Sequence, residues 1–384
     1  MPNSDNLETR IPTLSEIRAR TEVVFGRQPC LWQQKVAQAL LRRDQDVICI
    51  AGTGKGKTLT FWMPLLFSRT SIQIVITPLN LLGEQNVRVL EKAGIRAISI
   101  CAETATVQNF QAIEALHYRV VIISPEQVMK DGGGFEQLLK KPLFTSHIIG
   151  VVIDEAHCVS TWGEFRPEYR ELGRLRYIVP DIPVLVASAT LSPEALQDVK
   201  RLLHLRNGDK LVTIHRSTDR PNIKLAVRAI QGSLRSYADL AFLIPDGWKA
   251  GDPPPPKFLL FFDNIATAIE AAQSIRVRLP LEFREKIKWF NADMSTAFKI
   301  DEVARFAQGD TWGFFTTESF GMGFDMPDIR FVGQWRATCS LATLWQRFGR
   351  AVRDMSLVGV AVLFCERDHF DQYRKEKEVR RSQR

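Results

Sequence analysis

Short apolar runs alternate with helix-period segments along the first half of the chain. The runs lie at 46–50, 72–76, 97–100, 120–123, 148–153 and 184–187. Between them, 33–42 and 79–93 place apolar side chains three and four residues apart, the spacing of one helix face. Unbroken apolar runs of this length read as strands buried on both faces, and strands alternating with helices build a parallel sheet. A second set of runs follows at 258–262, 287–290, 313–317, 329–334 and 358–364. The pattern predicts an α/β chain of two tandem domains with parallel sheets. The segment DRPNI at 219–223, with its proline, separates the two sets, so the domains are expected at 1–222 and 223–384. Four prolines at 253–256 read as a polyproline-like surface loop leading into a strand. Residues 374–384, rich in basic side chains, read as a helical tail.

Length agrees with two domains, since 384 residues exceed what one core usually serves. Composition changes the picture in three ways. The net charge of +8 favours a polyanionic partner. The six cysteines stand at least 19 residues apart, so neither a zinc site nor a disulfide framework is expected, and a reducing, intracellular compartment is (the nucleus, if the chain is eukaryotic). No apolar run approaches the roughly 20 residues that cross a bilayer, and the polar N-terminus is not a signal or transit peptide, so no membrane partner is expected.

Chemistry is concentrated at the ends of predicted strands. Residues 51–58 read AGTGKGKT, between the strand 46–50 and a helix-like stretch. This is a phosphate-cradling loop with Ala51 in place of the usual first glycine. Gly52, Thr53, Gly54, Lys55 and Gly56 would curl the backbone round phosphate oxygens, Lys57 would meet the β- and γ-phosphates, and Thr58 would hold Mg²⁺. Residues 154–157 read DEAH and end the strand 148–153. Asp154 would bind Mg²⁺, and Glu155 would orient and deprotonate the attacking water. Together the two motifs predict a nucleoside triphosphatase using ATP or GTP. The tripeptide SAT at 188–190 follows another strand, and QRFGRAVR at 346–353 carries Arg350 and Arg353 three residues apart in the second domain.

In this order the motifs resemble those of superfamily-two helicases, and specifically of the RecQ family. FGRQPCLWQQKVA at 25–37 is similar to the segment before the phosphate loop, where a glutamine reads adenine; the matching residue is taken as Gln34. TPLNLLGEQ at 77–85 and SPE at 124–126 resemble strand-contacting motifs. CVSTWGEFRPEYREL at 158–172 resembles the aromatic-rich loop that distinguishes the family, although it is one residue shorter near Glu164. FGMGFDMP at 320–327 resembles the fifth motif, and 346–354 the sixth, with Val352 at a usual glycine. Leu31 and Trp32 stand where an Arg-Pro pair is common.

The resemblance spans about residues 20–370. It implies two RecA-like P-loop domains, ATP and Mg²⁺ as cofactors, and 3′ to 5′ movement on single-stranded DNA with unwinding of tailed duplexes. It also implies site roles. Arg350 and Arg353 would be arginine fingers; Thr77, Pro78, Trp162, Phe165 and Arg166 would touch nucleic acid; Ser188, Thr190 and Gln346 would couple binding to hydrolysis. Many relatives continue into a four-cysteine zinc module and a winged-helix domain, for which this chain has neither cysteine cluster nor length. Three other readings use parts of the same pattern: an RNA helicase, a non-catalytic nucleic-acid-binding relative, and a DNA-stimulated translocase that unwinds little.

Overall fold

The computed structural model describes residues 10–78, 80–161, 166–320 and 326–375. The chain divides into two units, Met1–Thr218 and Asp219–Arg384. The first holds strands β1 (Asp46–Ile50), β2 (Ile72–Ile76), β3 (Ala97–Ile100), β4 (Val120–Ile123), β5 (Ile148–Ile153), β6 (Val184–Ser188) and β7 (Leu211–His215). They form one sheet in the order β3-β4-β2-β5-β6-β1-β7, every described pair parallel.

Alternate residues of β1 explain the unbroken apolar runs. Ile48 and Ile50 enter a core on one face with Phe135, Phe144, Tyr169 and Val199. Val47 and Cys49 enter another with Val36, Leu40, Phe61 and Trp62. A parallel sheet needs crossover helices on its faces, so both sides of each inner strand become apolar.

The second unit holds β8 (Ile223–Ala229), β9 (Phe258–Phe261), β10 (Ile287–Phe290), β11 (Gly313–Thr316), β12 (Phe331–Trp335) and β13 (Gly359–Cys365). Their order is β10-β11-β9-β12-β13-β8, again parallel throughout. Phe258, Leu260 and Phe262 pack with Trp335 and Phe364 on one face. Phe290, Phe306, Phe314 and Phe320 interlock nearby in edge-to-face and tilted pairs.

Two strands have no counterpart among the apolar runs, and both are sheet edges. β7 is half-exposed along its length, and β8 exposes five consecutive residues. These two edges are left exposed and so lack an apolar run, whereas the other two edges, β3 and β10, are better covered and carry one. The first unit ends at Thr218, and Arg220 and Asn222 hydrogen-bond within the second. No helix among the described residues is long and apolar enough to cross a membrane.

All strands of a parallel sheet end on one edge. The loops after β1, β2, β4, β5 and β6 therefore converge, and these are the loops that carry the first unit's motifs.

Candidate active site

The loop 51–58 leaves β1 with Ala51 N donating to the Ser188 carbonyl at the end of β6, 3.1 Å away. Gly54 and Gly56 both have φ of +79°, a left-handed conformation that side chains resist. Lys57 Nζ donates back to the Ala51 carbonyl at 2.7 Å, across the loop's own curl. The helix after the loop is short. It runs Leu59–Trp62 and then tightens to a 3₁₀ turn, Met63–Phe67, where Pro64 withholds a backbone donor.

Two adjacent glutamines precede the loop, and Gln34 is the one expected to read adenine. Gln34 is 7% exposed, and its Nε2 donates to the Pro29 carbonyl at 2.8 Å. Its neighbour Gln33 faces the loop: Nε2 donates to the Gly56 carbonyl at 2.8 Å, while Oε1 accepts from Cys30 N at 2.7 Å. Successive helix residues point about 100° apart, so only the packed helix decides which of two adjacent glutamines meets the phosphate loop.

The acidic pair sits at the end of β5. Asp154 N donates to the Ile76 carbonyl of β2 at 2.9 Å, and Ala156 N to the Ala187 carbonyl of β6 at 2.9 Å. Asp154 is 8% exposed. Burial pushes its pKa up to about 7; the neighbouring Glu155 charge adds to this and Lys57 opposes it. A carboxylate so desolvated beside a lysine fits a divalent cation, which would stabilise its charged form. Glu155 adopts φ of +48°, an unfavourable backbone for a side chain other than glycine, of the kind that gathers at functional sites. His157 Nδ1 lies 3.4 Å from Glu155 Oε2 and 3.2 Å from Ser188 Oγ. Ser188 Oγ in turn donates to the Thr190 carbonyl at 2.9 Å. One side chain of the DEAH segment thus touches both its own acid and the SAT segment.

Thr77 and Pro78 are buried at the end of an inner strand, so their side chains present little surface to a nucleic acid. Arg166 is committed within the protein: Nε donates to Glu126 Oε1 at 2.7 Å, Nη1 to the Pro78 carbonyl at 3.2 Å, and the guanidinium lies 5.3 Å from the Tyr169 ring centre. It joins the segment after DEAH to the SPE and TPL segments. Trp162 and Phe165 lie outside the described residues. Glu126 was legible only as part of SPE; nothing in the sequence pairs it with Arg166, 40 positions away.

In the second unit, Ser340 caps the helix Leu341–Phe348, its hydroxyl accepting from Thr343 N at 3.2 Å. Gln346 is half-buried in this helix, Arg350 is nearly buried just beyond it, and Arg353 is half-exposed. Arg347 carries no signal in the sequence beyond its place in QRFGRAVR. It is 4% exposed, donates to Asp263 Oδ1 at 2.9 Å and Glu318 Oε1 at 2.8 Å, and lies 5.3 Å from the Phe261 ring centre. It fastens the arginine-bearing helix to the loops after β9 and β11.

Comparison with known proteins matches the description DEAD/DEAH box helicase over residues 31–199 and Helicase conserved C-terminal domain over 253–355. The ATP-dependent DNA helicase RecQ of Haemophilus influenzae is 31% identical over 349 residues, 89% of this chain and 52% of that protein. The chain carries a RecQ-like superfamily-two helicase core. Other relatives of the RecQ-like chain agree. The ATP-dependent DNA helicase Q1 of Rattus norvegicus is 28% identical over 84% of this chain and 50% of its own length. The RecQ-like chain thus spans about half the length of these relatives. Among solved structures, the helicase MrfA bound to DNA superposes with a TM-score of 0.72 at 17% identity, covering 97% of this chain and 50% of that one. Mss116 bound to single-stranded RNA gives 0.70 at 19%, covering 98% and 78%. These likenesses show two tandem RecA-like domains.

Proposed function

We propose that this chain is the motor of an ATP-dependent DNA helicase that moves 3′ to 5′ on single-stranded DNA and unwinds tailed duplexes. The observation that carries the reading is the convergence at β6. The phosphate loop bonds to Ser188, DEAH bonds to Ala187, and Lys57 and Asp154 lie within each other's electrostatic reach.

Residues 51–58 bind the phosphates of ATP. Lys57 exchanges its bond to the Ala51 carbonyl for phosphate oxygens, a change that loses little because one charge-assisted bond replaces a charge-to-carbonyl one. Thr58 and Asp154 would hold Mg²⁺, which supplies charge neutralisation on the phosphates. Glu155 takes the proton of the attacking water. Gln34 reads the adenine edge, and its neighbour Gln33, bonded to both the helix start and Gly56, holds the phosphate loop beside it. Arg350 and Arg353 meet charge that develops on the γ-phosphate. His157 and Ser188 connect this chemistry to the SAT segment. Trp162 and Phe165 stack on bases, and Arg166 couples their loop to the SPE and TPL segments.

The test is ATP hydrolysis with no nucleic acid, single-stranded DNA, single-stranded RNA and duplex DNA, followed by unwinding of 3′- and 5′-tailed duplexes. Stimulation by single-stranded DNA with unwinding of the 3′-tailed duplex supports the proposal. Stimulation without unwinding reduces it to translocation. Stimulation by RNA alone, or none, overturns it.

A further inference from the structure

The second unit opens on DRPNI, residues 219–223, directly after Thr218 ends the first. By its sequence this segment is a linker, yet two of its polar side chains are buried. Arg220 is 4% exposed and Asn222 8%. Both reach the same loop. Arg220 Nη1 donates to the Gly349 carbonyl at 3.1 Å, and Nη2 to those of Ala351 at 3.0 Å and Val352 at 2.9 Å. Asn222 Nδ2 donates to the Val352 carbonyl at 2.9 Å, with longer bonds to Leu357 at 3.2 Å and Asp354 at 3.4 Å. The clasped carbonyls flank Arg350 and Arg353 on both sides.

The loop needs holding. Val352 is β-branched, fully buried, and has φ of +29°, outside the conformations such a residue prefers. Its N–H donates to the Ile329 carbonyl at 2.9 Å, so clasp and strand-side contact grip the strained residue at both ends. Its side chain fills the space over Gly359, where an added Cβ would come within 2.7 Å of Val352 Cγ2. Gly359 N donates to the Asn222 carbonyl at 2.9 Å, closing the ring of contacts.

The clasp is a costly way to gain stability alone. Arg220 meets three carbonyls and, among the described residues, no carboxylate. A buried cation without an anionic partner is expensive. Burial, and the nearby charge of Arg353, lower the pKa of the Arg220 guanidinium from its ordinary value. An anion brought to Arg353 would offset that repulsion.

We infer that Arg220 and Asn222 are positioning residues for the arginine pair, holding the backbone of residues 349–357 in the conformation from which Arg350 and Arg353 engage the γ-phosphate. The inference rests on the reading of those two arginines given above.

The experiment uses the whole chain as Arg220→Ala, Arg220→Lys, Asn222→Ala and Arg353→Ala, and the first three each combined with Arg353→Ala. It measures kcat and KM for ATP with saturating single-stranded DNA, and thermal unfolding. Displacement of the arginines predicts kcat lower by about 10²-fold in Arg220→Ala with KM little changed, since misplacing a catalytic group by about 1 Å costs that much. Arg220→Lys recovers part of the loss. The double variants are no slower than Arg353→Ala alone, because residues acting through one another are not additive. Unchanged kcat in the Arg220 and Asn222 variants overturns the inference. So does a loss that adds in full to that of Arg353→Ala, or one that follows the unfolded fraction and is not recovered by lysine. Should Arg220→Ala not fold, Arg220→Lys and Asn222→Ala carry the same comparison. Full turnover in Arg353→Ala alone overturns the arginine-finger reading instead, and leaves the clasp a structural contact.

Discussion

At the scale of single residues, charge placement separates chemistry from architecture. Glu155 and Asp46 are both acids at strand ends, but at opposite ends. Asp46 opens β1 with no exposure; its Oδ1 accepts from Val184 N at 2.9 Å, and its Oδ2 from Arg206 N at 2.8 Å and Arg176 Nη2 at 2.5 Å. Three donors hold this carboxylate, so it is a fastening. Asp46→Ala removes the acceptor of a part-buried cation and of two backbone donors, and should cost about 1 to 3 kcal/mol of stability. Urea unfolding checks this; a change below about 1 kcal/mol would show that the donors find other partners. Glu155, by contrast, is half-exposed and held at an unfavourable φ. Glu155→Gln should bind ATP yet hydrolyse it at least about 10²-fold more slowly, measured by phosphate release beside nucleotide binding; normal turnover would remove Glu155 from the chemistry. Arg353→Ala should lose about 10³- to 10⁵-fold in DNA-stimulated turnover if it is the principal finger.

At the scale of elements, side-chain ties let segments far apart in sequence respond together. Arg166 is the clearest tie, reaching Glu126 on the SPE helix and the Pro78 carbonyl after β2. Its pair with Glu126 is partly exposed, so its value lies in alignment more than stability. Arg166→Ala and Glu126→Ala should each raise the DNA concentration needed for half-maximal ATPase stimulation, and the double variant should be little worse than either. A DNA titration of ATPase rate reads this directly, and two independent, additive effects would mean that the pair does not act as a unit.

At the scale of the whole molecule, the +8 net charge is the feature that matters for a polyanionic partner. Binding to single-stranded DNA should weaken with salt at a log–log slope of about −0.7 per phosphate contact. A flat dependence between low and physiological ionic strength, measured by fluorescence anisotropy, would contradict a groove that tracks the backbone.

Much of this molecule is written locally. The well-covered strands carry continuous apolar runs, and β1 to β5 begin and end where those runs do. The phosphate loop and DEAH are likewise contiguous, because each binds its target with neighbouring backbone and side-chain groups. What the sequence could not supply is pairing across distance and phase around an axis. β7 and β8 lack an apolar run because these two edges are left largely uncovered. Gln33 rather than Gln34 meets the phosphate loop because the packed helix selects one of two adjacent directions. Thr77 and Pro78 are buried because β2 lies inside the sheet, and Arg166 is engaged because Glu126 comes beside it only when β4 and β5 flank β2. The linker segment 219–223 states its proline openly, but its grip on the loop carrying Arg350 and Arg353 exists only once β8 lies beside β13. Composition and order of motifs determined the family and the kind of chemistry; tertiary structure decided which side chains reach it, since reach depends on neighbours that chain order does not name.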